Sequence, residues 1–168
     1  MAIAASAAAV SANASELITN GDFSAGGAGW SVSSNAFNFN NGAYQEGNIY
    51  GEGSISQTFL DAVGGALTLD YDWSGGGYQY VVFNGAAVAG SYTENTGGHY
   101  TFSLGAGTGS DTIAFYGRND PAFNALDNVS ITQAGGVPEP ASWALMLTGF
   151  LGAGAVLRAN RRQAAVVA

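Results

Sequence analysis

The run Leu67-Thr68-Leu69-Asp70-Tyr71-Asp72-Trp73 alternates without a break, large apolar residues taking one side of an extended chain and polar residues the other. A helix would scatter these residues around its surface, so the run is a half-buried β-strand. "HYTFSL" repeats the pattern, with Tyr100, Phe102 and Leu104 set against His99, Thr101 and Ser103. "SISQTF" does so less cleanly, placing Gln57 on the same face as Ile55 and Phe59.

"YQYVVFNGAAVAG" carries Asn84-Gly85 between two apolar runs, the signature of a hairpin closed by a type I′ turn. "SDTIAFYG" and "LDNVSIT" supply closing strands. Between such runs lie turn clusters drawn from the 26 glycines. No helical period is sustained before Ala141, and no internal repeat is evident. The expectation is an all-β body over residues 15–134, built as an antiparallel, jelly-roll-like β-sandwich of about seven to nine strands.

Charge narrows the functions open to it. Asp and Glu number 12 against 4 Lys and Arg, a formal net charge of −8, and within 15–134 the sole Lys or Arg is Arg118. A basic footprint for nucleic acid is absent. The sequence has no cysteine, which excludes a disulfide framework, thiol catalysis and cysteine-based zinc sites.

Catalytic patterns are also thin. Asp70 and Asp72 project from one strand face about 7 Å apart, a spacing an inverting glycosidase pair can have but one that any pair of acids on a wet strand shares. His99 is the single histidine, its strand phase turns it to solvent, and no Gly-x-Ser-x-Gly elbow accompanies it. "GAGTGS" at 105–110 lacks a lysine and precedes a strand, so it is a loop and not a phosphate cradle.

Sugar binding calls for aromatic rings to stack on pyranose faces and polar side chains to meet hydroxyls. Most aromatic residues of the body serve the core or pair across strands. The surface candidates are Tyr78 and Tyr80 beside Gly75-Gly76-Gly77, Tyr92 near Asn95, and Tyr116 with Arg118, Asn119 and Asp120.

The two ends depart from the body. An Ala- and Val-rich start followed by Ala12-Asn13-Ala14 reads as part of a secretory signal peptide, residues 1–14, cut after Ala14. No Lys or Arg precedes the apolar run, and an alanine-rich disordered tail is the alternative. At the other end, 135–140 is a Gly/Pro linker, and 141–157 runs 17 residues without a charge. As a helix it would be about 26 Å long, enough for a short membrane span with snorkelling flanks. Arg158, Arg161 and Arg162 follow, where the positive-inside rule keeps them cytoplasmic.

Pro138-Glu139-Pro140, then Trp143, Gly149-Phe150 and the closing arginines Arg158, Arg161 and Arg162, come in the order that resembles the PEP-CTERM sorting signal of Gram-negative bacteria, over 138–162. The resemblance implies export, transient anchoring in the inner membrane, and cleavage near the Pro-Glu-Pro triplet by an exosortase. It also implies an association with exopolysaccharide and a final place at the cell surface or outside it. The tail "QAAVVA" beyond Arg162 departs from the family, whose signals stop near their arginines.

"ELITNGDFSAGGAGW", "SISQTF" and "ALDNVSIT" together resemble the jelly-roll sandwiches of galactose-binding-like and carbohydrate-binding modules. That resemblance implies a structural calcium where first and last strands meet, with Asp22 and Asp127 as its carboxylates. Turn capping by Asp22 and ordinary hydrogen bonding by Asp127 are the alternative, because Ser24 stands where those modules often carry an acid.

The sequence thus leads to an exported, non-catalytic protein of the cell envelope or extracellular biofilm matrix that is structural or interacts with extracellular polysaccharide. A secreted carbohydrate-active enzyme and a true carbohydrate-binding module are the alternatives.

Overall fold

The computed structural model describes residues 14–34, 36–47, 51–134, 146, 148–154 and 158. Its internal contacts divide the chain into two units, Met1–Gly135 and Gly136–Ala168. The first is all β. Its strands are β1 Ser15–Glu16, β2 Ser31–Ser33, β3 Phe37–Asn40, β4 Ala43–Glu46, β5 Gly53–Leu60 and β6 Ala66–Ser74. They continue with β7 Tyr78–Phe83, β8 Ala86–Ala87, β9 Thr93–Glu94, β10 Gly98–Ala106, β11 Ser110–Arg118 and β12 Asn124–Gln133.

Two antiparallel sheets result. Sheet A runs β10-β6-β12-β4-β3 with β1 also on β12, and sheet B runs β2-β5-β11-β7-β8 with β9 also on β7. Alternation along β6 is as the sequence demands: Leu67, Leu69, Tyr71 and Trp73 are buried and the polar residues between them are not. Twelve strands among the described residues exceed the seven to nine expected, and β1, β2, β8 and β9 account for the excess at two or three residues each. Segments so short carry no readable alternation; their pairing is imposed by the register of a longer neighbour.

The last two strands are the centres of the sheets. β11 lies between β5 and β7, and β12 between β6 and β4. Tyr71 of sheet A meets Phe115 of sheet B edge to face, ring centroids 5.0 Å apart, and Trp30 packs on the same Phe115. Ile55, Leu69, Val81, Ile113, Leu126 and Ile131 are fully buried around them. At about 1.5 to 3 kcal/mol for each large apolar side chain removed from water, this layer is the main source of stability.

Three buried glutamines tie loops to the sandwich. Gln57 accepts from the Thr19 amide at 2.8 Å and donates to the Thr19 carbonyl at 2.9 Å. Gln133 does the same for Ala62, at 2.8 Å in each direction. Gln79 accepts from the Tyr71 hydroxyl and donates to the Ser91 carbonyl at 3.1 Å and the Thr93 hydroxyl at 3.0 Å. A side-chain amide offers donor and acceptor together, so it can replace a missing piece of backbone ladder.

Asn84 and Gly85 have φ of 49° and 81°, the two positive values of a type I′ turn, and join β7 to β8 as expected. Gly21 is needed for a different reason. A Cβ there would stand 1.8 Å from the Val129 carbonyl oxygen, and the Val129 amide bonds the Gly21 carbonyl at 2.9 Å.

In the second unit, residues 146, 148–154 and 158 are helical. Among the described residues no helix is long and apolar enough to cross a membrane; of the span expected over 141–157, residues 141–145, 147 and 155–157 lie outside the described residues. Ala12, Pro138, Glu139, Pro140, Trp143, Arg161 and Arg162 lie outside the described residues. Gly149, Phe150 and Arg158 lie within the helical residues, and Phe150 and Leu151 are exposed.

Candidate functional site: a tyrosine cluster on sheet B

On β7, alternation sends Gln79 and Val81 into the core and leaves Tyr78 and Tyr80 on the outer face of sheet B. On β11 the same rule leaves Tyr116 and Arg118 outside, and the register sets Tyr116 opposite Tyr80 and Arg118 opposite Tyr78. Tyr80 and Tyr116 stack with centroids 5.1 Å apart and planes 8° apart. Tyr92, from the segment leading into β9, stacks on Tyr78 at 5.9 Å and 19°. Tyr78, Tyr80, Tyr92, Tyr116 and Arg118 therefore meet on one face, whereas Asn119, named with them, is buried.

Glu52 joins them. Its carboxylate accepts the Tyr78 hydroxyl at 3.1 Å and the Tyr80 hydroxyl at 2.8 Å, one on each oxygen. Partial burial and this carboxylate push the Tyr80 hydroxyl up to about 12, so it stays a donor throughout the physiological range. Tyr92 donates to Glu94 at 3.4 Å, and Arg118 reaches Asp120 at 3.6 Å. Nothing in the sequence singles out Glu52, since its role depends on strands distant in sequence.

Tyr80 and Tyr92 wall an apolar slot of about 440 Å³, floored by Ala87, Val88, Ala89, Gly90 and Ser91. The floor is held from below. Val88 donates to Val81, Ser91 donates to Val88, and the Ser91 hydroxyl accepts the Val81 amide at 3.0 Å, while Gln79 holds Ser91 and Thr93. Tyr92 itself is 59% exposed. Two aromatic walls with carboxylate and hydroxyl groups at the rim present stacking surface and hydrogen-bonding groups together.

Sheet A carries a groove of about 480 Å³ with another character, lined by Asp72, Ser74, His99 and Asp127 together with Trp73 and small residues. Asp127 and Asp72 are direct cross-strand partners, and His99 is the partner of Asp72 on the other side. Asp72 accepts from Asn128 at 2.8 Å and faces the His99 ring at 2.9 Å, and these bonds hold its carboxyl below the usual range. Burial, with the nearby Asp72 and Asp22 charges, pushes Asp127 up, against the pull of the Asn128 amide. Asp70 accepts the Thr101 hydroxyl, and His99 is 61% exposed in its side chain, so both lie on the solvated face expected of them.

Asp22 accepts the Ser24 amide at 3.2 Å and its hydroxyl at 3.0 Å, and Asp127 accepts the Asn128 amide at 2.6 Å. Among the described residues no group of three or more His, Cys, Asp or Glu is placed to hold a metal ion.

No protein-family model matches the sequence, and no curated protein matches it. Solved structures do match in fold. A carbohydrate-binding module, TmCBM61, solved with β-1,4-galactotriose, superposes with a TM-score of 0.53 at 14% identity, over 70% of this chain and 97% of its own. A CBM4 module gives 0.50 at 11% identity, over 69% and 99%. The body has the fold of a carbohydrate-binding-module sandwich. The enzymatically active domain of bacteriophage CBA120 tailspike protein 4 matches with a TM-score of 0.54 at 16% identity, over 69% of this chain and 21% of the tailspike chain.

Proposed function

We propose that this chain is a non-catalytic, exported protein whose sandwich binds extracellular polysaccharide through the tyrosine cluster, and whose C-terminal region directs its sorting. The observation that carries the reading is the assembly of Tyr78, Tyr80, Tyr92 and Tyr116 as two stacked pairs on one face of sheet B, beside an apolar slot. The likeness to carbohydrate-binding modules supports it at the level of the fold. Stacking on aromatic walls suits the apolar faces of pyranose rings, and the Glu52 and Glu94 carboxylates suit their hydroxyls.

Sorting rests on the tail. The Pro-Glu-Pro triplet, Trp143, Gly149-Phe150 and the arginine cluster support processing by an exosortase at the inner membrane and release to the surface or matrix. A structural calcium at Asp22 and Asp127 would be an accessory of the fold.

Affinity electrophoresis of the full chain against a panel of polysaccharides tests the binding reading: retardation in at least one gel, lost in Tyr80→Ala and Tyr92→Ala, is the expected result. Equal retardation of the folded variants would overturn it. Mass spectrometry of the exported protein tests the sorting reading, with a C-terminus near Pro138 to Pro140 expected and an intact chain through Ala168 refuting it.

A second reading is favoured by one observation, the opposed Asp72 and Asp127 carboxyls in the sheet A groove, shifted in opposite directions as an acid and a base would be. Hydrolysis of a polysaccharide that disappears in Asp127→Asn would establish a carbohydrate-active enzyme instead.

A further inference from the structure

β10 is an edge strand of unusual form. It pairs with β6 on one side, and among the described residues no strand pairs with the other. The other edge strands are short, four residues in β3, three in β2 and two each in β8 and β9, and β5 is uncovered only over Gln57–Leu60, against nine residues in β10. Long open edges present unpaired amides and carbonyls, and proteins blunt them with lysine, proline or bulges. β10 has neither lysine nor proline, and its one irregularity falls between Ser103 and Gly105, leaving Gly98–Ser103 in regular register.

We infer that this edge is an association surface for a second copy of the chain, the two β10 strands pairing antiparallel about a two-fold axis through Thr101 so that sheet A continues across both protomers.

The side chains fit that occupant. A two-fold at Thr101 sets Tyr100 of one copy against Phe102 of the other on the inner face. On the outer face it sets His99 against Ser103. Tyr100 and Phe102 are only half-buried within one chain, although both stack on Tyr71, at 5.3 and 6.2 Å. An aromatic cross-strand pair would finish covering them.

Charge favours a like partner too. Two chains of net charge −8 repel wherever acids meet, yet β10 contains no acid. The acids next to it on β6 are already engaged from β10 itself, Asp70 by the Thr101 hydroxyl and Asp72 by the His99 ring at 2.9 Å. The open edge is thus the longest acid-free edge strand, a place where a second acidic chain meets no opposing carboxylate. Two-fold pairing is also closed, so it ends at a dimer instead of growing into a fibre.

The absence of native cysteine gives a clean test. Full-length Thr101→Cys, kept in mild detergent and gently oxidised, is expected to form a disulfide-linked dimer, whereas Thr58→Cys on the outer face of sheet B stays monomeric. Thr101→Lys keeps a partner for Asp70 in its own chain but opposes two ammonium groups across the axis, and is expected to weaken self-association about tenfold in ultracentrifugation. Circular dichroism matching the unsubstituted chain checks that the variants fold. Cross-linking at 101 no greater than at 58, or self-association unchanged by a folded Thr101→Lys, would overturn the inference; association through the apolar C-terminal region gives that same negative result.

Discussion

Tyr80 and Tyr116 lie directly opposite one another on β7 and β11 and stack almost parallel, 8° apart, so Tyr116 backs the ring that walls the slot. An aromatic pair of this kind contributes about 0.5 to 1.5 kcal/mol beyond the area it buries. Tyr116→Ala frees Tyr80 to turn without removing the wall. Polysaccharide affinity is expected to fall about threefold to tenfold, less than for Tyr80→Ala, as read by affinity electrophoresis against the same polymer.

Gln79 acts on the site from inside the core. It is fully buried, and its amide holds Ser91 and Thr93 on either side of Tyr92. Gln79→Leu keeps the volume but strands the Ser91 carbonyl and the buried Tyr71 hydroxyl, at a cost of about 1 to 3 kcal/mol for each. The expected outcome is a lower melting temperature together with weaker polysaccharide binding, and faster amide exchange confined to residues 88–93.

Glu46 makes stability depend on pH. It is 1% exposed, beside Tyr44 and Glu52, and burial together with the Glu52 charge pushes its carboxyl up to about 7. The unfolded chain releases this proton near 4.5, so between those values the folded state binds more protons. Its contribution is fully present below about 4.5 and is lost as pH rises through about 7, on the order of 3 kcal/mol in all. Melting temperature should fall from pH 5 to pH 8, and Glu46→Gln should flatten that fall, measured by calorimetry at the two pH values.

The β7–β8 turn tolerates little change at its second position. Gly85 sits at φ 81°, where a β-branched side chain is strained. Gly85→Val is expected to cost about 1 to 2 kcal/mol in urea unfolding, with Gly85→Asn costing less because asparagine enters this region more readily.

Much of the sandwich was readable in advance because its long strands are wet on one face and dry on the other. β6, β10 and the β7–β8 turn lie where alternation and Asn84-Gly85 put them. The short strands were not readable, since two residues cannot display a period. Nor was the central position of β11 and β12, which follows from the order of pairing and not from any local pattern. Gln57 is the instructive case. Its place on the apolar face of β5 was visible, but its purpose was hidden until the fold brought Thr19 beside it.

The candidate site divides the same way. Nearness to a glycine run or to polar residues marked Tyr78, Tyr80, Tyr116 and Arg118 as surface candidates, and strand phase, a local property of the backbone, is what turns them outward in the fold. That these residues share one face, that Tyr92 stacks on Tyr78, and that Glu52 bridges two hydroxyls depend on β5, β7, β9 and β11 becoming neighbours. Neighbourhood between strands is fixed by which apolar faces must be covered together. That is a requirement of the whole core, and no single segment records it.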